Sequence, residues 1–179
     1  MSLASRIILV TGGARSGKSA LAERLAARFA GPRLYLATAE ARDDEMTQRI
    51  AGHRARRGAG WQTIEEPLDL AGALARSDGQ GVRLVDCLTL WLSNAMMAGD
   101  PGPRLQALDA ALRAQRSPVV LVTNELGLGI VPENALARRF RDEHGWMNQT
   151  VAALAHEVWM AVSGLPLRLK PERECRESL

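Results

Sequence analysis

Residues 7–26 read Ile-Ile-Leu-Val-Thr-Gly-Gly-Ala-Arg-Ser-Gly-Lys-Ser-Ala-Leu-Ala-Glu-Arg-Leu-Ala. The first five residues are an apolar run of strand length. From Ala20 to Ala30 a helical period sets in, with Leu21, Leu25 and Phe29 on one face. Between the two, Gly12–Ser19 fits G-x-x-x-x-G-K-[ST]. A strand, a glycine-rich turn and a helix in that order make a phosphate cradle. The glycines let backbone N–H groups face an anion, and the helix presents its positive end to the same anion. Lys18 reaches the β- and γ-phosphates, and Ser19 offers a hydroxyl to Mg²⁺. The loop therefore predicts nucleoside triphosphate binding and phosphoryl transfer. Arg15, inside it, reads equally well as a phosphate contact or as a solvated side chain.

Working outward, apolar strands alternate with helical patterns. Strands are expected at Leu34–Ala37, Trp61–Glu65, Val82–Asp86, Val119–Thr123 and Val158–Ser163. Helices are expected at Asp43–His53, at Pro67–Arg76 with Pro in its first turn, at Leu88–Met97 and at Arg104–Gln115. Two further helical stretches lie before and after Gly145, the second carrying His156, and Gly127–Glu133 is an irregular loop. The Ser163-Gly164 turn leads into Pro166–Lys170, a possible antiparallel edge strand. This alternation predicts an α/β fold with a mostly parallel sheet flanked by helices, in one domain spanning 1–179 with 171–179 as a frayed tail.

The bulk numbers exclude several classes. The chain has 179 residues, 46% hydrophobic and 24% charged, as in ordinary globular proteins. Its net charge of +3 is too small to argue for nucleic acid. The most basic run, Arg54, Arg56 and Arg57, suits a nucleotide's phosphates equally well. Two cysteines, Cys87 and Cys175, lack a CxxC spacing, which argues against a disulfide scaffold and a zinc site. Met1–Arg6 is too short and polar for a signal peptide, and no run is long enough to span a bilayer. A cytoplasmic location is expected.

A phosphate loop needs a carboxylate for Mg²⁺ or its water shell, commonly at the end of an apolar strand. Asp86 ends Val82–Asp86 and is the first candidate, the competing reading being a cap for the helix near Leu88. Glu125, after the next strand, is the runner-up. Thr123-Asn124-Glu125-Leu126 lacks the Lys and Asp of a guanine-reading Asn-Lys-x-Asp, so a switch GTPase fits poorly. His53 lies among Arg49, Arg54, Arg56 and Arg57. Like charges disfavour its cation, leaving a neutral nucleophile. Spacing alone favours a plain surface His at a basic helix end. His144 and His156 have weaker cases, His156 reading as packing or a local hydrogen bond. Trp61, Trp91, Trp146 and Trp159 read first as core or interface residues.

These segments together resemble the bifunctional adenosylcobinamide kinase / adenosylcobinamide-phosphate guanylyltransferase family of cobalamin biosynthesis. The likeness rests on Ile8–Ser19, on Asp43–Met46 with Arg49, Ile50 and His53, and on Val85–Thr89. It continues through Val122–Asn134, Phe140–Asp142, Asn148-Gln149 and Val162–Gly164, covering roughly residues 7–170. It implies a P-loop NTPase with a RecA-like sheet, assembled as a homotrimer. It implies phosphorylation of the aminopropanol hydroxyl of adenosylcobinamide by ATP or GTP. GMP would then pass from GTP, by way of a histidine, to adenosylcobinamide phosphate, giving adenosyl-GDP-cobinamide. By the resemblance His53 is the guanylylated residue and Lys18 acts beside it. Nucleotide contacts fall on Gly12, Gly13, Ala14, Arg15, Ser16, Gly17, Lys18 and Ser19, on Ala37, Thr38 and Ala39, on Arg54, Ala55, Arg56 and Arg57, and on Glu65 and Asp86. Ser19 and Asp86 would hold Mg²⁺. The pattern departs at Gly52, and Asp69–Asp78 and Ala98–Pro103 match none. A plain small-molecule kinase and a nucleotide-dependent regulatory switch are the rival readings.

Overall fold

Seven strands form one sheet: β1 (Ile7–Gly12), β2 (Arg33–Ala37), β3 (Gln62–Glu65), β4 (Val82–Asp86), β5 (Val119–Val122), β6 (Glu157–Val162) and β7 (Leu165–Lys170). The computed structural model describes residues 6–40, 44, 47, 48, 51, 52, 55 and 60–171. Among them the helices are α1 (Lys18–Ala26), α2 (Leu70–Arg76), α3 (Leu88–Met97), α4 (Gly102–Ala114) and α5 (Ala135–Leu154). The strand order is β3-β2-β4-β5-β1-β6-β7. All neighbours are parallel except β7, which runs antiparallel to β6 at the edge. From β1 the chain moves to one side, to β2. From β5 it crosses to the other side, to β6. That reversal places a crevice at the carboxyl ends of β1 and β5, where open α/β sheets bind ligands.

The continuous apolar runs of the sequence follow from burial on both faces of a parallel sheet. Ile7, Leu9, Leu36, Val85, Val119 and Leu121 pack with residues of α2, α3, α4 and α5. Ile8, Val10, Leu84, Val120 and Val122 pack on the opposite face against Leu21, Ala22 and Leu25 of α1.

Three expectations need correction. The helix expected from Pro67 begins at Leu70, because Asp69 caps it by accepting from the Gly72 N–H at 2.9 Å. The helical stretches on either side of Gly145 are one continuous helix, α5. His144, Met147 and Val151 form a single buried stripe across the glycine. That packing outweighs the ~1 kcal/mol a mid-helix Gly costs. His156 lies beyond the end of α5, where its Nδ1 accepts from the Ile7 N–H at 3.1 Å. In the expected helix at Asp43–His53, the backbone is helical at Asp44, Thr47, Gln48, Ala51 and Gly52, whereas His53 itself is outside the described residues.

At the amino ends of β4 and β5, far from the crevice, Arg83 is completely buried. Its guanidinium donates to Asp78 Oδ1 at 2.9 Å, to the Ser77 and Ser117 carbonyls at 3.2 and 3.1 Å, and to Gln115 Oε1. Burial alone would raise the pKa of Asp78. Hydrogen bonds from Arg83, Arg116 and the Arg116 and Ser117 N–H groups outweigh it and hold the carboxyl well below the usual range. The folded-state pKa is depressed, so the contribution is fully present above the unfolded value. It is lost as the pH falls below about 4. Asp78→Asn is expected to lower stability at pH 7 and to flatten its decline between about pH 4 and pH 2. Urea unfolding at pH 7, 4 and 3 checks this.

Candidate active site

The Gly12–Ser19 loop joins β1 to α1 as the sequence predicts, and its backbone shows why the glycines stand where they do. Gly17 has φ +91° and Gly12 φ +151°, conformations that L side chains rarely adopt. A Cβ at Gly12 would meet the Ala161 carbonyl of β6 and Ser16 Oγ, each at 2.6 Å. Arg15, exposed, also has positive φ, at 55°. The loop is closed by the Ser16 N–H to the Gly13 carbonyl at 3.3 Å. It is tied outward by the Glu125 N–H to the Gly12 carbonyl at 3.2 Å and the Gly164 N–H to the Ser16 carbonyl at 3.0 Å. Gly12→Ala is expected to cost ~1–3 kcal/mol of stability by overpacking and to weaken nucleotide binding at least tenfold. Thermal melts and GTP titration measure the two effects.

Lys18, half-buried at the first turn of α1, donates to the Gly13 carbonyl at 3.0 Å. Burial lowers its pKa, against an opposing pull from Asp86. Lys18 and Asp86 therefore face one another electrostatically. Asp86 ends β4 and does not cap α3, whose N-cap is Cys87 without a side-chain bond. Its Oδ2 accepts instead from the Tyr35 hydroxyl at 3.1 Å. Burial pushes the Cys87 thiol up to about 11, so it is neutral and no nucleophile.

The remaining expected residues divide into three groups. Ala37 pairs with Asp86 on one side and Glu65 on the other, so β2, β3 and β4 bring these three to one edge of the crevice. Thr38 is buried, and its hydroxyl accepts from the Cys87 N–H and donates to the Cys87 carbonyl, each at 2.8 Å. Asn94 Nδ2 holds the Thr38 carbonyl at 2.9 Å. Thr38 thus fixes the chain after Asp86, and its side chain is not free for a nucleotide. Ala39 follows it, partly buried, and Ala55 is exposed on helical backbone. Ser19 is half-buried on α1. His53, Arg54, Arg56 and Arg57 lie outside the described residues. Among those described, no group of three or more His, Cys, Asp or Glu is placed to hold a metal.

Sequence reasoning missed a buried polar cluster behind the loop. His144 is 1% exposed. Its Nε2 lies 3.0 Å from Thr89 Oγ1 and 3.2 Å from Thr123 Oγ1. Burial lowers its pKa against an opposing pull from Glu125, so the ring is neutral. Asn148 Nδ2 faces His144 Nδ1 at 3.4 Å, which leaves the ring proton on Nε2 for the threonine oxygens. Gly164 is the other missed contact. The signal available for both was Asn148-Gln149 and Val162–Gly164 within the resemblance, which named segments without roles.

A doubly covered parallel sheet with a glycine-rich loop between β1 and α1 defines a P-loop nucleotide-binding protein. Solved structures share the fold. A protein of Pyrococcus horikoshii OT3 aligns with TM-score 0.57 at 10% identity, covering 94% of this chain and 88% of its own. A prototypical ATPase of a type III secretion system aligns with TM-score 0.54 at 13% identity, covering 91% and 56%. The chain belongs to the CobU family, described as cobinamide kinase / cobinamide phosphate guanyltransferase, whose profile matches residues 8–169. It is 52% identical over 170 residues to the bifunctional adenosylcobalamin biosynthesis protein CobP of Pseudomonas aeruginosa, covering 92% of this chain and 97% of that one. It is 44% identical over 181 residues to the bifunctional adenosylcobalamin biosynthesis protein CobU of Escherichia coli, covering 92% and 99%.

Proposed function

We propose that this chain is a bifunctional enzyme that phosphorylates adenosylcobinamide with ATP or GTP. It then moves GMP from GTP through a guanylyl-histidine at His53 to adenosylcobinamide phosphate, giving adenosyl-GDP-cobinamide. The observation that carries the reading is the intact phosphate loop, with Lys18 facing Asp86, in a chain matched by the family profile over residues 8–169. The backbone N–H groups of the loop and the N terminus of α1 bind the triphosphate. Lys18 neutralises charge as it develops on the phosphates. An imidazole–phosphorus bond is high in energy, so GMP passes onward from His53 to a phosphate oxygen.

Ser19 and Asp86 supply an oxygen-only, hard donor set on adjacent elements, which suits Mg²⁺ held by few protein ligands, phosphates and water. Held by Ser19 and Asp86, Mg²⁺ would supply positive charge against the phosphates during transfer. A homotrimer belongs to the same reading, by resemblance to the family. So does a cytoplasmic location, with which it agrees that no helix among the described residues is long and apolar enough to cross a membrane.

The test is incubation with α-labelled GTP and Mg²⁺. Wild type is expected to carry acid-labile, alkali-stable label, and His53→Ala none. Equal labelling of the two proteins, or of neither, would leave a plain kinase with a structural His53.

A further inference from the structure

Among the described residues, the buried side-chain polar atoms without a hydrogen-bond partner are Thr11 Oγ1, Ser16 Oγ, Arg83 Nε, Asn124 Oδ1 and Arg168 Nε. Thr11, Ser16 and Asn124 all gather at the phosphate-loop end of the sheet. Asn124 differs from the other two because five hydrogen bonds are organised around it.

The β1–β5 ladder continues past the last strand residue. The Thr123 N–H donates to the Val10 carbonyl at 2.9 Å and the Glu125 N–H to the Gly12 carbonyl at 3.2 Å. Strand alternation therefore holds through these residues. Thr123 faces α5, where its hydroxyl meets His144 and Asn148. Asn124 shares the face of Val120 and Val122, the face that α1 covers. Asp86, two residues beyond Leu84, stands on that same face one strand away. The Asn124 carboxamide thus lies between the phosphate loop and Asp86.

Its backbone is held from both sides. The Asn124 N–H donates to Thr89 Oγ1 at 3.0 Å, and its carbonyl accepts from Asn148 Nδ2 at 3.1 Å. His144 links the two clamps through Thr89 and Thr123, and Thr123 donates to Asn148 Oδ1 at 2.8 Å. Committing four polar side chains, three buried and Asn148 partly so, to fix one peptide is unfavourable unless every member is satisfied. Here each of the four is satisfied, and the free acceptor left over is the carboxamide oxygen of the residue they hold. A free acceptor at this point calls for a donor. Triphosphate oxygens are acceptors and cannot satisfy it. In the kinase complex the hydroxyl of the alcohol to be phosphorylated is a donor that must come up to the γ-phosphate end of this loop, where the carboxamide oxygen stands.

We propose that Asn124 accepts a hydrogen bond from the attacking hydroxyl and aims it at the γ-phosphorus, and that Thr89, Thr123, His144 and Asn148 are positioning residues for it. The proposal rests on the kinase half of the function above. In the step, the alcohol oxygen forms a bond to the γ-phosphorus as the bond from that phosphorus to the β-bridging oxygen breaks. The bond pair leaves with the nucleoside diphosphate. The hydroxyl proton goes to water, and the carboxamide takes none.

The experiment compares wild type, Asn124→Ala, Asn124→Ser, Thr89→Val, Thr89→Ser and the double variant Asn124→Ala/Thr89→Val. Each is assayed with adenosylcobinamide and ATP–Mg²⁺, and for self-guanylylation with GTP, after circular dichroism and melting confirm folding. Loss of one substrate hydrogen bond is expected to lower kinase kcat/KM for adenosylcobinamide about 10- to 100-fold. KM for ATP should change less than threefold, and guanylylation should fall at least tenfold less than the kinase rate. Thr89→Val should lower the kinase rate, Thr89→Ser should restore it, and the double variant should be no worse than Asn124→Ala. Kinase rates of both Asn124 variants within threefold of wild type would overturn the proposal. So would parallel loss of both activities, or multiplicative losses in the double variant. Wild type that phosphorylates no adenosylcobinamide defeats the functional reading and the inference together, an outcome distinct from the others. If Asn124→Ala unfolds, Asn124→Ser and the Thr89 pair decide by the same criteria.

Discussion

Lys18→Ala is expected to lower the rates of ATP-dependent phosphorylation and of GTP-dependent guanylylation by about 10²–10³-fold each, the effect of removing one preorganised charge at a phosphate site. The ammonium is already half-buried and parked on the Gly13 carbonyl at 3.0 Å. It has shed part of its hydration before the nucleotide arrives, and Asp86 offsets part of the burial that disfavours its charge. Swapping a carbonyl for phosphate oxygens then requires little reorganisation. The same geometry predicts a small effect on folding, since the Gly13 carbonyl it leaves behind is exposed to water. Steady-state kinetics with both nucleotides and a thermal melt distinguish the two consequences. A variant that loses stability and retains turnover would contradict the assignment.

Arg83→Ala is the substitution with the largest expected effect on stability, about 3–5 kcal/mol. The side chain is fully buried and satisfies Asp78, Gln115 and the Ser77 and Ser117 carbonyls together. Deleting it leaves four acceptors short of a partner and opens a cavity beneath β4 and β5. For a chain of this size the loss corresponds to a fall in Tm of about 10 °C. Urea titration gives the free energy directly. Catalytic constants measured below the transition should stay near wild type, because Arg83 sits at the opposite end of the strand from Asp86.

What was legible in the sequence is what is decided locally. The phosphate loop needs a strand before it, a helix after it and two glycines with positive φ, all within about a dozen residues. That Asp86 ends a strand was legible because a strand's last residue can be read from the run that precedes it. The alternative role as a helix cap failed because Cys87 stands between Asp86 and α3. The lateral order of the strands was not legible. Nothing in Val119–Val122 says that it inserts between β1 and β4, yet that insertion brings Asn124 to the loop. Likewise Thr89, Thr123, His144 and Asn148 belong to three different elements and acquire meaning only when these pack. Gly145 was misread for a related reason. Its local propensity argues for a break, while the stripe of His144, Met147 and Val151 that overrides it is a tertiary fact.

The hydrogen bond from Gly164 to Ser16 joins the turn between the last two strands to a loop near the start of the chain. It bears on the order of events during synthesis. The phosphate loop leaves the ribosome before β6, which pairs with β1 from Ile8 to Gly12, and before the turn that supports Ser16. Contacts between such distant segments form late. Until β6 emerges, the nascent chain therefore carries its nucleotide-binding sequence without the scaffold that shapes it. Competence to hold a triphosphate is expected to arrive with the β6–β7 hairpin, so a chain that stops before β6 would contain the motif and lack the support that shapes it.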